Sequence, residues 1–141
     1  KGINMSNSVA TGVAYSDPEF TTCYVSQEFG YAAAAQGTVT QATDKSTGVT
    51  LNKSAGRITM NNAALAGGAA VSFILTNSTI SINDTIVVCV SSNTTGSGLG
   101  AYTTYISYLA TGSALITLRN LSATSYSEAV IINYSIIHGA S

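Results

Sequence analysis

One histidine, His138, six carboxylates and two cysteines, Cys23 and Cys89, are the chain's stock of groups for acid–base, nucleophilic or metal chemistry. General acid–base catalysis needs titratable groups that converge within hydrogen-bond reach. Here Asp17, Glu19, Glu28, Asp44, Asp84 and Glu128 are scattered, and His138 follows Ile136-Ile137 with no acid or cysteine beside it. Such a histidine reads as the tail of a strand. No His/Cys pair has zinc spacing, and no D-x-D-x-D-G loop surrounds Asp17, Glu19 and Glu28 to favour calcium. The stretch Gly96 to Gly100 has the composition of a phosphate loop without its lysine or following helix. An enzyme, a cofactor and a bound metal are therefore not expected.

The residues with something to contribute to binding are aromatic. Phe20, Tyr24, Phe29 and Tyr31 crowd one short segment, and Tyr102, Tyr105 and Tyr108 another. Tyrosine is favoured at interfaces because its ring buries area while its hydroxyl stays hydrogen-bonded. By strict alternation Tyr102 and Tyr108 share one strand face and Tyr105 takes the other, so at least one ring is expected outside the core. These seven residues are the candidate interface. Arg119 and Glu128 are expected to pair across adjacent strands, within the chain or between subunits.

Only 8% of the 141 residues are charged and the net charge is −1, against about 25% charged residues in an ordinary soluble domain. Ser, Thr, Asn and Gly must keep this surface hydrated. A weakly charged surface repels its neighbours little, which suits a place inside an assembly. Lys45, Lys53, Arg57 and Arg119 form no basic run, so nucleic acid is not an expected partner. No apolar run approaches the roughly 18 to 20 residues that span a membrane, and Lys1 to Ser8 lacks the pattern of a secretory leader. The sequons at Asn77, Asn83, Asn93, Asn120 and Asn133 are what a chain rich in Asn, Ser and Thr contains by chance.

The elements that must position these residues are strands. Turn residues punctuate apolar or alternating runs at Gly37–Thr43, Gly48–Leu51, Gly56–Asn61, Ala69–Thr76, Thr85–Ser91, Tyr102–Ala110, Ser113–Leu121 and Ala129–His138. About eight strands at this spacing predict an all-β domain, an antiparallel, jelly-roll-like β-sandwich over residues 37–141. Residues 1–36 form an N-terminal arm that packs on its own domain or on a neighbouring subunit. Gly30 and Gly37 limit Ala32 to Ala35 to one helical turn at most. Residues 94–100 read as a long surface loop. Cys89 sits in Ile86-Val87-Val88-Cys89-Val90, where a buried thiol is expected, and a bridge to Cys23 stays open. That run and Val130-Ile131-Ile132 lack alternation, so both faces are expected to be covered, the second by a loop, the arm or another chain.

Gly37-Thr38-Val39-Thr40-Gln41-Ala42-Thr43, Ser46 to Lys53 and Gly56-Arg57-Ile58-Thr59-Met60, with Val71 to Ser78, Leu118 to Leu121 and Ala129 to Gly139, resemble small virion structural proteins of tailed bacteriophages. The resemblance spans residues 37–139 and rests on fold-making residues. It implies a small β-sandwich in the particle, either a capsid decoration (cement) protein on the major capsid protein shell or a module of a tail fibre or spike. A homo-oligomer follows as the expectation, a trimer first and a dimer second. A tail module would contact a glycan through Tyr102, Tyr105 and the Gly96 to Gly100 loop, and a carbohydrate-binding β-sandwich of cellular origin is the reading from another class. The resemblance carries no catalytic residues.

Overall fold

The computed structural model describes residues 19–93 and 100–140. Residues 1–18 of the expected arm and 94–99 of the expected loop lie outside the described residues. The chain divides into two compact units, residues 1–30 and 31–141. In the first, the described residues 19–30 are exposed and carry no helix or strand. The second unit, which holds every element described below, begins six residues before the expected boundary.

A single 3-10 turn, Ala33–Ala35, leads into eight strands: β1 (Gln36–Thr40), β2 (Val49–Thr50), β3 (Ala55–Thr59), β4 (Ala70–Thr76), β5 (Thr85–Asn93), β6 (Tyr102–Ala110), β7 (Ser113–Asn120) and β8 (Val130–Ile137). They form two four-stranded sheets, ordered β1-β3-β8-β5 and β2-β4-β7-β6. All eight expected strands are present, with ends within a few residues of those predicted. Two pairings differ from an all-antiparallel sandwich: β1 runs parallel to β3, and β2 to β4. Each pair is joined by a connection long enough to return the chain to the same end, through a strand of the other sheet. A jelly roll is antiparallel throughout, so this strand order lends that finer topology no support.

Both sheets contribute to one core. Ile58, Val130, Ile132, Tyr134 and Ile136 come from the first sheet and Phe73, Leu75, Ala114, Ile116 and Leu118 from the second. The cause is the two-residue side-chain period. In β8, Val130, Ile132, Tyr134 and Ile136 are buried while Ile131, Asn133 and Ser135 are half-buried and Ile137 is exposed. The apolar run of β5 obeys the same period, with Val87 and Cys89 turned outward. Cys89 is therefore an exposed free thiol, not a buried one, and Cys23 is also free and exposed. Hydrophobicity on both sides of β5 hid an alternation that the pleat imposes.

The scarcity of charge is matched by amides that tie the loops. Gln41 Nε2 donates to the carbonyls of Lys45 and Thr47, and its Oε1 accepts from Asn61 N–H. Asn120 Nδ2 donates to Leu65 and Thr124, and Asn77 Nδ2 to Lys53. A carboxamide offers donors and acceptors without the cost of burying a charge, so it can satisfy loop backbone inside the domain. Asn77 and Asn120 are fully buried, which leaves their sequons no room for a glycan.

Candidate functional site

Three polar clusters and one depression in a sheet face are the places where this fold concentrates chemistry. At one end of the first sheet, Ser54 precedes β3 and His138 follows β8. The register of these strands, with Ala55 opposite Ser135, brings the two ends together. Ser54 Oγ lies 3.2 Å from His138 Nε2, and His138 Nδ1 lies 3.2 Å from Asp84 Oδ2. Serine, imidazole and carboxylate are thus in the order of a nucleophile, a base and its orienting acid. Nothing in the sequence announced this, because the three residues are far apart and meet only through strand pairing.

The geometry nevertheless serves a clasp. Asp84 has its side chain buried, and its two oxygens accept backbone N–H bonds from Ser81 and Gly139 at 2.8 and 3.0 Å. Burial pushes its carboxyl up, but these N–H bonds and His138 outweigh burial and hold it below the usual 3.8. Acyl transfer also needs donors around a developing oxyanion and a cavity over the nucleophile. A cavity among the described residues lies on the outer face of the first sheet.

The second cluster is interior. Lys45 is 3% exposed, and its Nζ donates to the carbonyl oxygens of Asn61 and Glu128, the latter at 2.6 Å. Glu128 is 1% exposed and accepts a 2.9 Å hydrogen bond from the Tyr102 hydroxyl. Desolvation lowers the Lys45 ammonium from its ordinary value, partly offset by the Glu128 carboxylate. Burial, with the bond to Glu128, pushes the Tyr102 hydroxyl up. One expectation is corrected here, since Glu128 is turned to the core while Arg119 stands exposed on the outer face of β7. Tyr102 is half-buried and packs against the core.

The third cluster is the outer face of the second sheet. A bulge between Ile106 and Tyr108 shifts the register of β6 by one residue. Tyr105 lies opposite Thr117 and Tyr108 opposite Leu115, two outward positions of β7, so Tyr105 and Tyr108 share a face. The alternation argument, which put Tyr108 with Tyr102, fails at this inserted residue. Across the sheet Tyr108, Leu115 and Ile74 form one row, and Tyr105, Thr117 and Ser72 the next. Ile74, Tyr105 and Tyr108 are 52%, 46% and 66% exposed. Beside them Thr117 Oγ1 is hydrogen-bonded to the hydroxyls of Ser72 and Ser107 at 2.7 and 2.8 Å.

Of the remaining candidate interface residues, Phe20, Tyr24 and Phe29 belong to the first unit and are exposed. Tyr31 belongs to the second unit, where its hydroxyl donates to the Ile136 carbonyl.

On the outer face of the first sheet, Gln36, Ala55 and Ser135 form one cross-strand row and Thr38, Arg57 and Asn133 the next. Ala55 offers only a methyl group between longer side chains, and a depression of about 430 Å³ opens there, lined by these residues other than Ser135 and by Gly37, Gly56 and Tyr134. Asn133 Oδ1 is buried and has no hydrogen-bond partner. The Arg57 guanidinium reaches over β8 to within 3.5 Å of Ser91 Oγ, the outer limit of a hydrogen bond.

No family model, no curated protein and no solved structure matches this chain.

Proposed function

We propose that this chain is a non-catalytic structural subunit that assembles with protein neighbours through the outer face of its second sheet. The observation that carries the reading is the row Ile74, Leu115, Tyr108 with Tyr105 beside it, an apolar and aromatic strip exposed on a sheet. Exposed aromatic rings on a well-ordered scaffold are the kind of anchor that association buries. The hydroxyl cluster of Ser72, Ser107 and Thr117 alongside adds a polar, internally hydrogen-bonded patch to the same face. Low charge supports the same reading, since close packing of many copies then meets little repulsion.

The more specific form of the proposal is a tailed-phage virion protein, a capsid decoration protein that binds the major capsid protein shell as a homotrimer. It rests on the sequence resemblance over residues 37–139 and on the two-sheet domain found there. A tail fibre or spike module is the alternative within the same class. Native mass measurement and particle binding test both levels. A trimer that binds phage heads, and that loses both properties in Ile74→Lys/Tyr108→Lys, is the expected result. A stable monomer without affinity for any phage particle overturns the proposal, and binding confined to tails selects the alternative.

A further inference from the structure

The depression on the first sheet is a polar site, and its groups make complementary demands. Arg57 is the one charged residue among its lining, and no carboxylate lines it. A guanidinium matches a carboxylate as a planar fork, with two parallel N–H bonds. Asn133, its register partner, carries an acceptor that is buried and unpartnered. A buried acceptor left unpaired is unfavourable in the free protein, so a ligand donor that reaches it as the surrounding side chains give way relieves a cost already present. The same side chain carries an amide NH2, so it can accept from one hydroxyl and donate to its neighbour. Thr38, on the other side of Arg57 in the same row, adds a hydroxyl that does either.

A ligand that answers all three must combine a carboxylate with adjacent hydroxyls. We propose that the Arg57, Asn133 and Thr38 depression binds an acidic sugar, a uronate unit of a glycan, with the carboxylate on Arg57 and neighbouring hydroxyls on Asn133 and Thr38. Its volume of about 430 Å³ lies at the small end of ligand sites and suits one or two sugar rings. No aromatic side chain is exposed in the lining, since Tyr134 is 3% exposed, so affinity comes from charge and hydrogen bonds. A neutral sugar, bound mainly by ring stacking, is poorly served. The site is on the opposite sheet from the strip proposed for assembly and does not rest on that reading.

The test is a titration of the full chain with sodium glucuronate, followed by backbone amide resonances, with glucose as the neutral control. Glucuronate is expected to shift the amides of Thr38, Ala55, Arg57 and Asn133 with a dissociation constant in the millimolar range. Arg57→Ala removes a charge-assisted pair and weakens binding about tenfold or more. Asn133→Asp, of the same shape, sets a carboxylate against a carboxylate and weakens it comparably. Absence of shifts up to about 50 mM glucuronate, weaker than any useful single-site affinity, overturns the proposal whatever the variants do. So does an equal response to glucose, or wild-type affinity in both variants. Exposed Cys89, the register partner of Asn133, gives an independent readout. In a Cys23→Ser background, glucuronate slows its alkylation if the site is real and leaves the rate unchanged if it is not.

Discussion

The imidazole of His138 stands 3.2 Å from the Asp84 carboxylate and joins the end of the last strand to the turn before β5. The partners are unequal. His138 is 41% exposed at its side chain, whereas that of Asp84 is fully buried. An exposed ion pair contributes about 0–1 kcal/mol, while a buried acceptor of two backbone N–H groups holds a turn together.

Asp84→Ala is therefore expected to cost about 1–3 kcal/mol in urea unfolding, by stranding the Ser81 and Gly139 N–H groups. His138→Ala should cost under about 1 kcal/mol. Because the Asp84 carboxyl is held below its unfolded value, its contribution is complete above about pH 4 and is lost as pH falls through the lowered value. Asp84→Asn should flatten the acid limb of the stability curve, measured from about pH 4 down to pH 2.

Lys45→Met keeps the stem of the side chain and removes its ammonium. The Asn61 and Glu128 carbonyls lose their donor and the Glu128 carboxylate loses a nearby cation, so a cost of about 2–4 kcal/mol is expected. Combining it with Glu128→Gln should recover part of that loss, because the second change removes the charge whose nearby cation the first took away. A double-mutant cycle in chemical denaturation measures the coupling.

Tyr134 predicts the alkaline behaviour. Its hydroxyl donates to the Lys53 carbonyl at 2.9 Å, and burial raises it to about 12. In the unfolded chain it gives up its proton near pH 10, so the folded state loses stability as pH rises from about 10 to 12. Lys45 acts in the opposite sense. Its folded value is lowered, so its contribution grows as pH rises from that value towards its unfolded 10.5. Tyr134→Phe should be less stable at neutral pH by about 1 kcal/mol, yet decline less steeply above pH 10. Urea midpoints across this range decide it.

Gly112 occupies the two-residue turn between β6 and β7 at φ +81°. Its absent Cβ would meet nothing within 4 Å, so the cost of Gly112→Ala is conformational, about 1–2 kcal/mol. Gly67→Ala tests the other role of glycine, since a Cβ there would lie 2.4 Å from the Ala123 backbone. It should be the more damaging change in thermal unfolding, because backbone cannot yield as a side-chain tip can.

Strand existence was legible because Gly, Asn and Ser interrupt the apolar runs at regular intervals. Residues such as Phe73 and Leu75 announced their inward face by alternation alone. Pairing partners were not legible. Nothing local distinguishes a β1 that joins β3 in parallel from one that joins it antiparallel, since the choice depends on which end of the domain the connection returns to. The same blindness hid the meeting of Ser54, His138 and Asp84, and the depression of Arg57 and Asn133, both products of register. Tyr108 was misplaced for a different reason. A pattern of period two carries no mark of an inserted residue when the residue is a serine among other small polar ones.

That insertion has a consequence for how the surface can change. The bulge at Ser107 sets the phase of everything after it in β6. Ser107 is the extra residue, so deleting its codon would close the bulge with Tyr108 still opposite Leu115 and Leu109 still opposite Ala114. A one-residue loss there would thus strip a hydroxyl from the outer face and leave its aromatic residues in place. The hydrogen-bonded ladder would tolerate it, because β7 is paired on its other side by β4 across seven residue pairs and does not depend on β6 for its position.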